Sequence, residues 1–136
     1  MSGFTVMPME EITAIAVSKD CTVEVALPTQ LQLDIDSPEA YDRWQAFYHA
    51  KLANRFPGIT IEEWESSGGN KHVVATLPEE LSVPERIALQ SQGGSDYGRE
   101  FAALACHWDG SPHPILLFKP LPKELAATPE APQEAQ

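Results

Sequence analysis

A short alternating segment, residues 30–36, followed at once by a helix-start signal, constrains the fold of this chain most strongly. In a strand, alternate side chains point to the same side of the sheet. Asp34 and Asp36 therefore share one face. The aliphatic residues of the segment share the other face: Leu31, Leu33 and Ile35. Ser37-Pro38-Glu39 then supplies an N-cap, a proline at the first helical position and an acid in the first turn. A strand that leads directly into a helix is predicted here.

The pattern continues in the same manner to residue 119. Helical spacing and caps predict helices from 38 to about 55, from 83 to 92 and from 96 to 104, and alternation predicts strands over 59–64, 71–77 and 114–119. The order strand, helix, strand, strand, helix, strand predicts an α+β fold of the ferredoxin-like (RRM-like) βαββαβ type. Such an antiparallel sheet carries its helices on one face and places its first and third strands side by side.

The two ends of the chain differ from this core, which we place at residues 30–120. Residues 12–17 and 21–27 are rich in strand-forming side chains with a turn-like segment between them, so a short β-hairpin is predicted within an N-terminal extension, residues 1–29. Pro, Ala, Glu and Gln dominate residues 121–136, a composition typical of a disordered acidic tail.

Composition restricts the classes of partner. The chain has nine basic residues against twenty acidic ones and a net charge of −11, which argues against unspecific binding to nucleic acid. Contact with nucleic acid must then be local, bridged by metal or assisted by another protein. The chain has no apolar run of membrane-spanning length and no features of a signal peptide, so we expect a cytoplasmic protein of a bacterial or phage-infected cell. We expect Cys21 and Cys106 to be buried and reduced.

The acids of the first strand are candidates for a metal site. If the first and third strands are neighbours, Asp34, Asp36 and His72 converge on one open face of the sheet. Two carboxylates one strand-step apart can share a divalent cation, and without one they repel each other. Mg²⁺ and Mn²⁺ favour such oxygen ligands. The alternative is that both acids are only solvated, with Asp36 supporting the helix cap at Ser37.

A glycine-containing turn, residues 66–70, leads into the third strand. Backbone N–H groups at Gly68 and Gly69 can approach a phosphate closely because glycine has no Cβ and accepts positive φ. Lys71 and His72 would add donors there. A plain hairpin turn is the alternative, with His72 a surface residue of the sheet. Trp64 shares the open face and could stack on a base or pack on a neighbouring loop.

These two motifs together resemble a known family. A strand that ends in apolar-Asp-x-Asp, followed by a Ser/Gly turn that ends in His, is similar to the first two motifs of the archaeo-eukaryotic primase superfamily, which includes phage and plasmid primase-polymerases. The resemblance implies an RRM-like catalytic core that uses divalent metal to join nucleotides on a template. It assigns metal binding to Asp34 and Asp36, and contact with the phosphates of the incoming nucleotide to His72.

The third motif of that family is a carboxylate on a later segment. Asp96, followed by the basic Arg99, is the favoured match, and Asp109 is the other candidate. The resemblance thus implies a catalytic set of Asp34, Asp36, His72 and Asp96, with Mg²⁺ or Mn²⁺ as cofactor. The residues that it assigns to nucleotide binding are Ser67, Gly68, Gly69, Lys71, His72 and Arg99.

Two functions follow as hypotheses. The first is a small primase-polymerase-like domain that binds divalent metal and nucleoside triphosphate, with single-stranded DNA or RNA and a replication protein as partners. The second is a non-catalytic acidic interaction module on the same fold, which occupies the nucleic-acid site of a partner.

Overall fold

The computed structural model describes residues 7–66, 69–110 and 115–122. Within them the chain has an α+β fold with four helices and two small antiparallel sheets. The helices are α1 (Met9–Ser18), α2 (Pro38–Phe47), α3 (Val83–Gln92) and α4 (Tyr97–Trp108). The strands are β1 (Cys21–Val25), β2 (Gln30–Ile35), β3 (Thr60–Glu65), β4 (Lys71–Thr76) and β5 (Leu116–Pro120). A π-helical turn, Tyr48–Leu52, and a last turn, Ala53–Arg55, extend α2 to its predicted end.

The larger sheet has three antiparallel strands in the order β2-β4-β3. His72 of β4 lies opposite Asp34 of β2 on one side and opposite Trp64 of β3 on the other. The prediction that the strands carrying Asp34 and His72 are neighbours is therefore confirmed. One face of this sheet packs on α2 and forms the core, whose fully buried members include Leu31, Leu33, Ile35, Trp44, Leu52, Val73 and Ala75.

The predicted N-terminal hairpin is wrong, because residues 9–18 form the helix α1. Its acids Glu10 and Glu11 lie in the first turn, where their negative charges interact favourably with the helix dipole and stabilise the helix. Ile12 and Ala16, one helical turn apart, are the residues that α1 buries. The β-branched residues of this segment suggested a strand, but this helical spacing decides its structure.

The predicted four-stranded sheet is not formed by the described strands. β5 pairs with β1 in a separate antiparallel ladder, in which Leu116 lies opposite Val25 and Pro120 lies opposite Cys21. β1 is therefore part of a two-stranded sheet with the last strand and does not pair with residues 12–17.

Side chains occupy the outer edge of β2, where the predicted fourth strand would lie. The backbone N–H of Gln32 donates to the side-chain oxygen of Gln90 at 2.9 Å, and the N–H of Asp34 donates to Ser95 Oγ at 2.9 Å. Arg99 Nη1 donates to the carbonyl of Gln32 at 2.8 Å. Because these backbone groups are already satisfied, the edge of β2 has no need of a further strand.

The predicted helix caps are confirmed. Ser37 Oγ accepts the N–H of Ala40 at 3.0 Å and caps α2. At α3, Ser82 and Glu85 form a reciprocal capping box.

Three further expectations concern the surroundings of the fold. Both cysteines, Cys21 and Cys106, are buried and free, as predicted. None of the described helices is long and apolar enough to span a membrane. The predicted tail lies, from residue 123 onward, outside the described residues.

Candidate functional site

An acidic corner, which we define as Asp34, Asp36 and Asp96, forms where β2 ends and α4 begins. Asp36 follows β2 directly and precedes the N-cap Ser37. Asp96 caps α4, where its carboxylate accepts the N–H of Arg99 at 2.9 Å. The N–H of Asp96 donates to the carbonyl of Asp34 at 2.8 Å. The start of α4 is therefore fixed to the end of β2.

Two acids of this corner, Asp36 and Asp96, interact although they come from distant parts of the sequence. The side-chain contact with Asp96 is the main cause that raises the pKa of Asp36 above its usual value. Slight burial and repulsion from Asp96 and Asp34 raise the pKa of Asp36 further. At neutral pH the fold therefore holds like charges together, and a bound cation would relieve their repulsion.

Replacing Asp36 by asparagine should stabilise the protein at neutral pH in the absence of divalent ions. A raised pKa means that the folded state binds the proton more tightly than the unfolded state, so ionisation of Asp36 destabilises the fold. We expect a gain of about 0.5 kcal/mol at pH 7, because Asp36 is exposed and its charge is screened. The gain should shrink as the pH falls through the folded pKa and vanish below about pH 4, the unfolded value.

Urea unfolding at low salt and at several pH values measures this effect. Asp42→Asn is the matched control, since Asp42 is an exposed acid on α2. Lower stability of the Asp36→Asn variant at pH 7 would contradict the repulsion.

Asp34 pairs with His72 across the β2–β4 ladder. His72 Nε2 lies 3.4 Å from Asp34 Oδ1, and this polar contact is the main cause that lowers the pKa of Asp34. The charges of His72 and Arg99 lower the pKa further, against the effect of burial. At 3.4 Å the contact is an ion-pair distance and a poor hydrogen bond. Oδ1 is buried, and no other group among the described residues donates a hydrogen bond to it.

The face predicted to be open is covered by β5 at His72 and Trp64. The carbonyl oxygen of Phe118 accepts Nε1–H of Trp64 at 2.9 Å, and His72 Nδ1 lies 3.0 Å from the same oxygen. Since a carbonyl only accepts, Nδ1 carries the proton. Lys119 lies 5.1 Å from the centroid of the Trp64 ring. The prediction of an open face is wrong at these residues. The backbone of β5 accepts the hydrogen bonds of His72 and Trp64, and His72 is only 8% exposed.

A cavity of about 260 Å³ lies between the end of β2 and the glycine turn. Asp36, Gly69 and Lys71 are among the residues that line it. The ammonium of Lys71 lies 4.8 Å from the ring centroid of Tyr41 and 4.0 Å from the carboxylate of Glu63. Gly69 has φ +86°, which glycine adopts without strain. The two remaining residues predicted in the turn lie outside the described residues: Ser67 and Gly68.

A second cavity, of about 300 Å³, lies at the junction of the two sheets. Asp34, His72 and Arg99 are among its lining residues. Lys71 and His72 are neighbours on one strand and therefore project to opposite faces. Of the predicted nucleotide-binding residues that the structure describes, Gly69 and Lys71 therefore line one cavity, and His72 and Arg99 line the other.

Arg99 belongs to a buried polar network whose centre is Glu100. Its guanidinium forms an ion pair with Glu100, and Nη2 donates to the carbonyl of Leu116 at 3.2 Å. Glu100 also accepts hydrogen bonds of 2.7 Å from the side chains of Gln90 and Ser95. One feature of the sequence indicates this network. Gln90 lies on the apolar face of α3, one turn after the buried Ile87, and a polar side chain buried there needs a hydrogen-bond partner.

Asp96, and not Asp109, reaches the acidic corner. Asp109 lies at the opposite end of α4, and a helix of 12 residues is about 18 Å long. Within the described residues, no group of three or more His, Cys, Asp or Glu is arranged to hold a metal ion. The corner therefore brings acidic residues near one another but, among the described residues, does not form a preformed set of ligands.

Comparisons with known proteins do not identify a family. No protein-family model, no curated protein and no solved structure matches this chain.

Proposed function

We propose that the chain is a small domain of the primase-polymerase kind that binds a divalent metal ion and a nucleoside triphosphate. The observation that carries this proposal is the hydrogen bond of 2.8 Å from the N–H of Asp96 to the carbonyl of Asp34, which fixes Asp96 beside the strand end that carries Asp34 and Asp36. Carboxylates that repel one another gain stability from a shared cation. Oxygen ligands of this kind suit Mg²⁺ and Mn²⁺.

The residues of the acidic corner fit such an ion chemically. Asp36 and Asp96 would be its main ligands, and Asp34 would add negative charge beside them. When bound, the ion would neutralise phosphate charge and favour attack on the α-phosphate. His72 donates Nδ1–H to β5, so a phosphate contact would have to come from Nε2, which lies 3.4 Å from Asp34 Oδ1 and donates only when the imidazole is protonated.

We also propose that the three-stranded sheet is a ferredoxin-like sheet with a displaced last strand. The order β2-β4-β3 is the order that such a sheet gives to its first three strands. The outer edge of β2 is closed by Gln90, Ser95 and Arg99, and β5 lies against β1 instead.

Mn²⁺ with a nucleoside triphosphate should raise the melting temperature of the wild type. Ligand at a hundredfold excess over its Kd adds about 2.7 kcal/mol, which is about 10 °C for a domain of this size. Asp36→Asn and Asp96→Asn should each lose most of this shift. Asparagine caps a helix as well as aspartate does, so the Asp96→Asn variant should keep the start of α4.

Differential scanning fluorimetry with Mn²⁺ alone, with nucleotide alone and with both measures these shifts. Asp42→Asn, an exposed acid on α2, should respond as the wild type does. The absence of any shift in the wild type, or equal shifts in all four proteins, would overturn the metal site.

A second candidate is the acidic interaction module, and the enclosure of His72 beneath β5 favours it. A histidine that is 8% exposed is poorly placed to contact phosphates, whereas a net charge of −11 suits the basic nucleic-acid site of a replication protein. Such a module should lose affinity for its partner in small, similar steps for Asp36→Asn and Asp42→Asn. A metal site should respond to the first substitution only.

A further inference from the structure

A groove of about 520 Å³ lies between α2 and the connection from α3 to α4. Glu39 and Arg43 line it from α2, and Tyr97 lines it from α4. Arg43 Nε donates to the carbonyl of Gln92 at 3.1 Å, which holds the guanidinium beside the end of α3. The volume lies in the range of about 300–1,000 Å³ that is typical of small-molecule sites, so the groove can take a nucleoside.

Tyr97 presents an exposed aromatic ring at the start of α4. It is the first residue of α4 and is 76% exposed. Its ring stacks on Phe101 with centroids 5.9 Å apart and planes 19° apart. The stack on Phe101 leaves the opposite face of the Tyr97 ring available to a ligand. Aromatic rings held in this way are the platforms on which proteins stack nucleic-acid bases.

The two neighbours of Asp96 in the chain, Ser95 and Tyr97, line the groove. Tyr97 follows Asp96 in the chain, and Glu39 lies in the first turn of α2, just after Asp36. A ligand that spans both sites must carry phosphates at one end and a flat ring at the other.

We infer that the groove binds the nucleobase of a nucleotide, with Tyr97 stacked on the base and Arg43 at its edge. The inference rests on the proposed function for the position of the phosphates, at the acidic corner. Arg43 is the cation among the described lining residues, and its planar guanidinium can donate to ring nitrogens and carbonyls of a base. Because every base has a π-face, Tyr97 should accept all of them.

Isothermal titration with ATP, with inorganic tripolyphosphate and with Mn²⁺ alone tests this inference. Tyr97→Ala should weaken ATP binding in Mn²⁺ by about tenfold, the usual effect of losing one base stack. Its affinity for tripolyphosphate should stay unchanged, since that ligand has no base. Tyr97→Phe should stay within about twofold of the wild type. Trp108→Ala, at the far end of α4, removes an aromatic side chain that is 73% exposed and should bind ATP as the wild type does.

The outcomes separate this inference from the proposed function. Equal ATP affinities of Tyr97→Ala and the wild type would overturn the base site, even if Mn²⁺ and tripolyphosphate bind. An ATP affinity that falls in Tyr97→Ala without any response to Mn²⁺ would support the base site and overturn the metal site. A wild type that binds none of the three ligands would overturn both.

Discussion

Glu100→Ala should lower the free energy of unfolding by about 3–5 kcal/mol, the usual cost of removing one partner from a buried ion pair. Glu100 is 2% exposed and accepts from Gln90, Ser95 and Arg99. Without its carboxylate, a largely buried guanidinium loses its counter-charge and two polar side chains lose their acceptor. The same three side chains satisfy the edge of β2, so the loss should extend to the sheet.

Urea unfolding, followed by tryptophan fluorescence, measures this loss. Glu100→Gln should fall between the wild type and Glu100→Ala, because an amide oxygen still accepts hydrogen bonds although the charge is gone. Glu80→Ala, an exposed acid before α3, should stay within about 0.5 kcal/mol of the wild type. A loss below about 1 kcal/mol for Glu100→Ala would show that water replaces the carboxylate in the network.

Local signals predicted much of the larger sheet and its helices. The alternation over residues 30–36 and the caps at Ser37 and Ser82 depend on side chains only a few positions apart. Such signals survive in any tertiary context that buries the same face. They also led to the pairing of β2 with β4, because the predicted topology required these two strands to be neighbours.

Contacts between distant residues decided what the sequence could not predict. The position of β5 depends on which groups reach the edge of β2, and Gln90, Ser95 and Arg99 reach it first. Nothing in the local pattern of residues 114–119 carries that information. His72 illustrates the same limit, since its place on the sheet was predictable but its enclosure by Phe118 was not.

The acidic corner was predictable from the sequence only in part. Asp34 and Asp36 share a strand end, so their proximity follows from the local pattern. Asp96 was assigned through a family resemblance, and its contact with Asp36 depends on how α4 begins against β2. The metal that these acids would bind stays a prediction, which the thermal shifts with Mn²⁺ test.

Gly94→Ala should lower the free energy of unfolding more than Gly58→Ala does, although both glycines have the same φ. Gly94 has φ +94°, and a Cβ there would lie 2.8 Å from the carbonyl oxygen of Ala40. Gly58 also has φ +94°, but a Cβ there would meet nothing within 4 Å among the described residues. We expect Gly58→Ala to cost about 1–2 kcal/mol for the backbone conformation alone. Gly94→Ala should cost about 2–5 kcal/mol, because overpacking adds to this.

Urea unfolding of both variants measures how much stability each loses. The difference between the two losses is the cost of the steric clash with α2 at residue 94. The Ala40 carbonyl belongs to the first turn of α2, which is held by its cap at Ser37 and by the buried Trp44, so it cannot retreat freely. Equal losses in the two variants would mean that this turn moves away at little cost. A larger loss at Gly94 would show that the connection leading to Asp96 and Tyr97 is held rigidly against α2, as a metal and base site built on these residues requires.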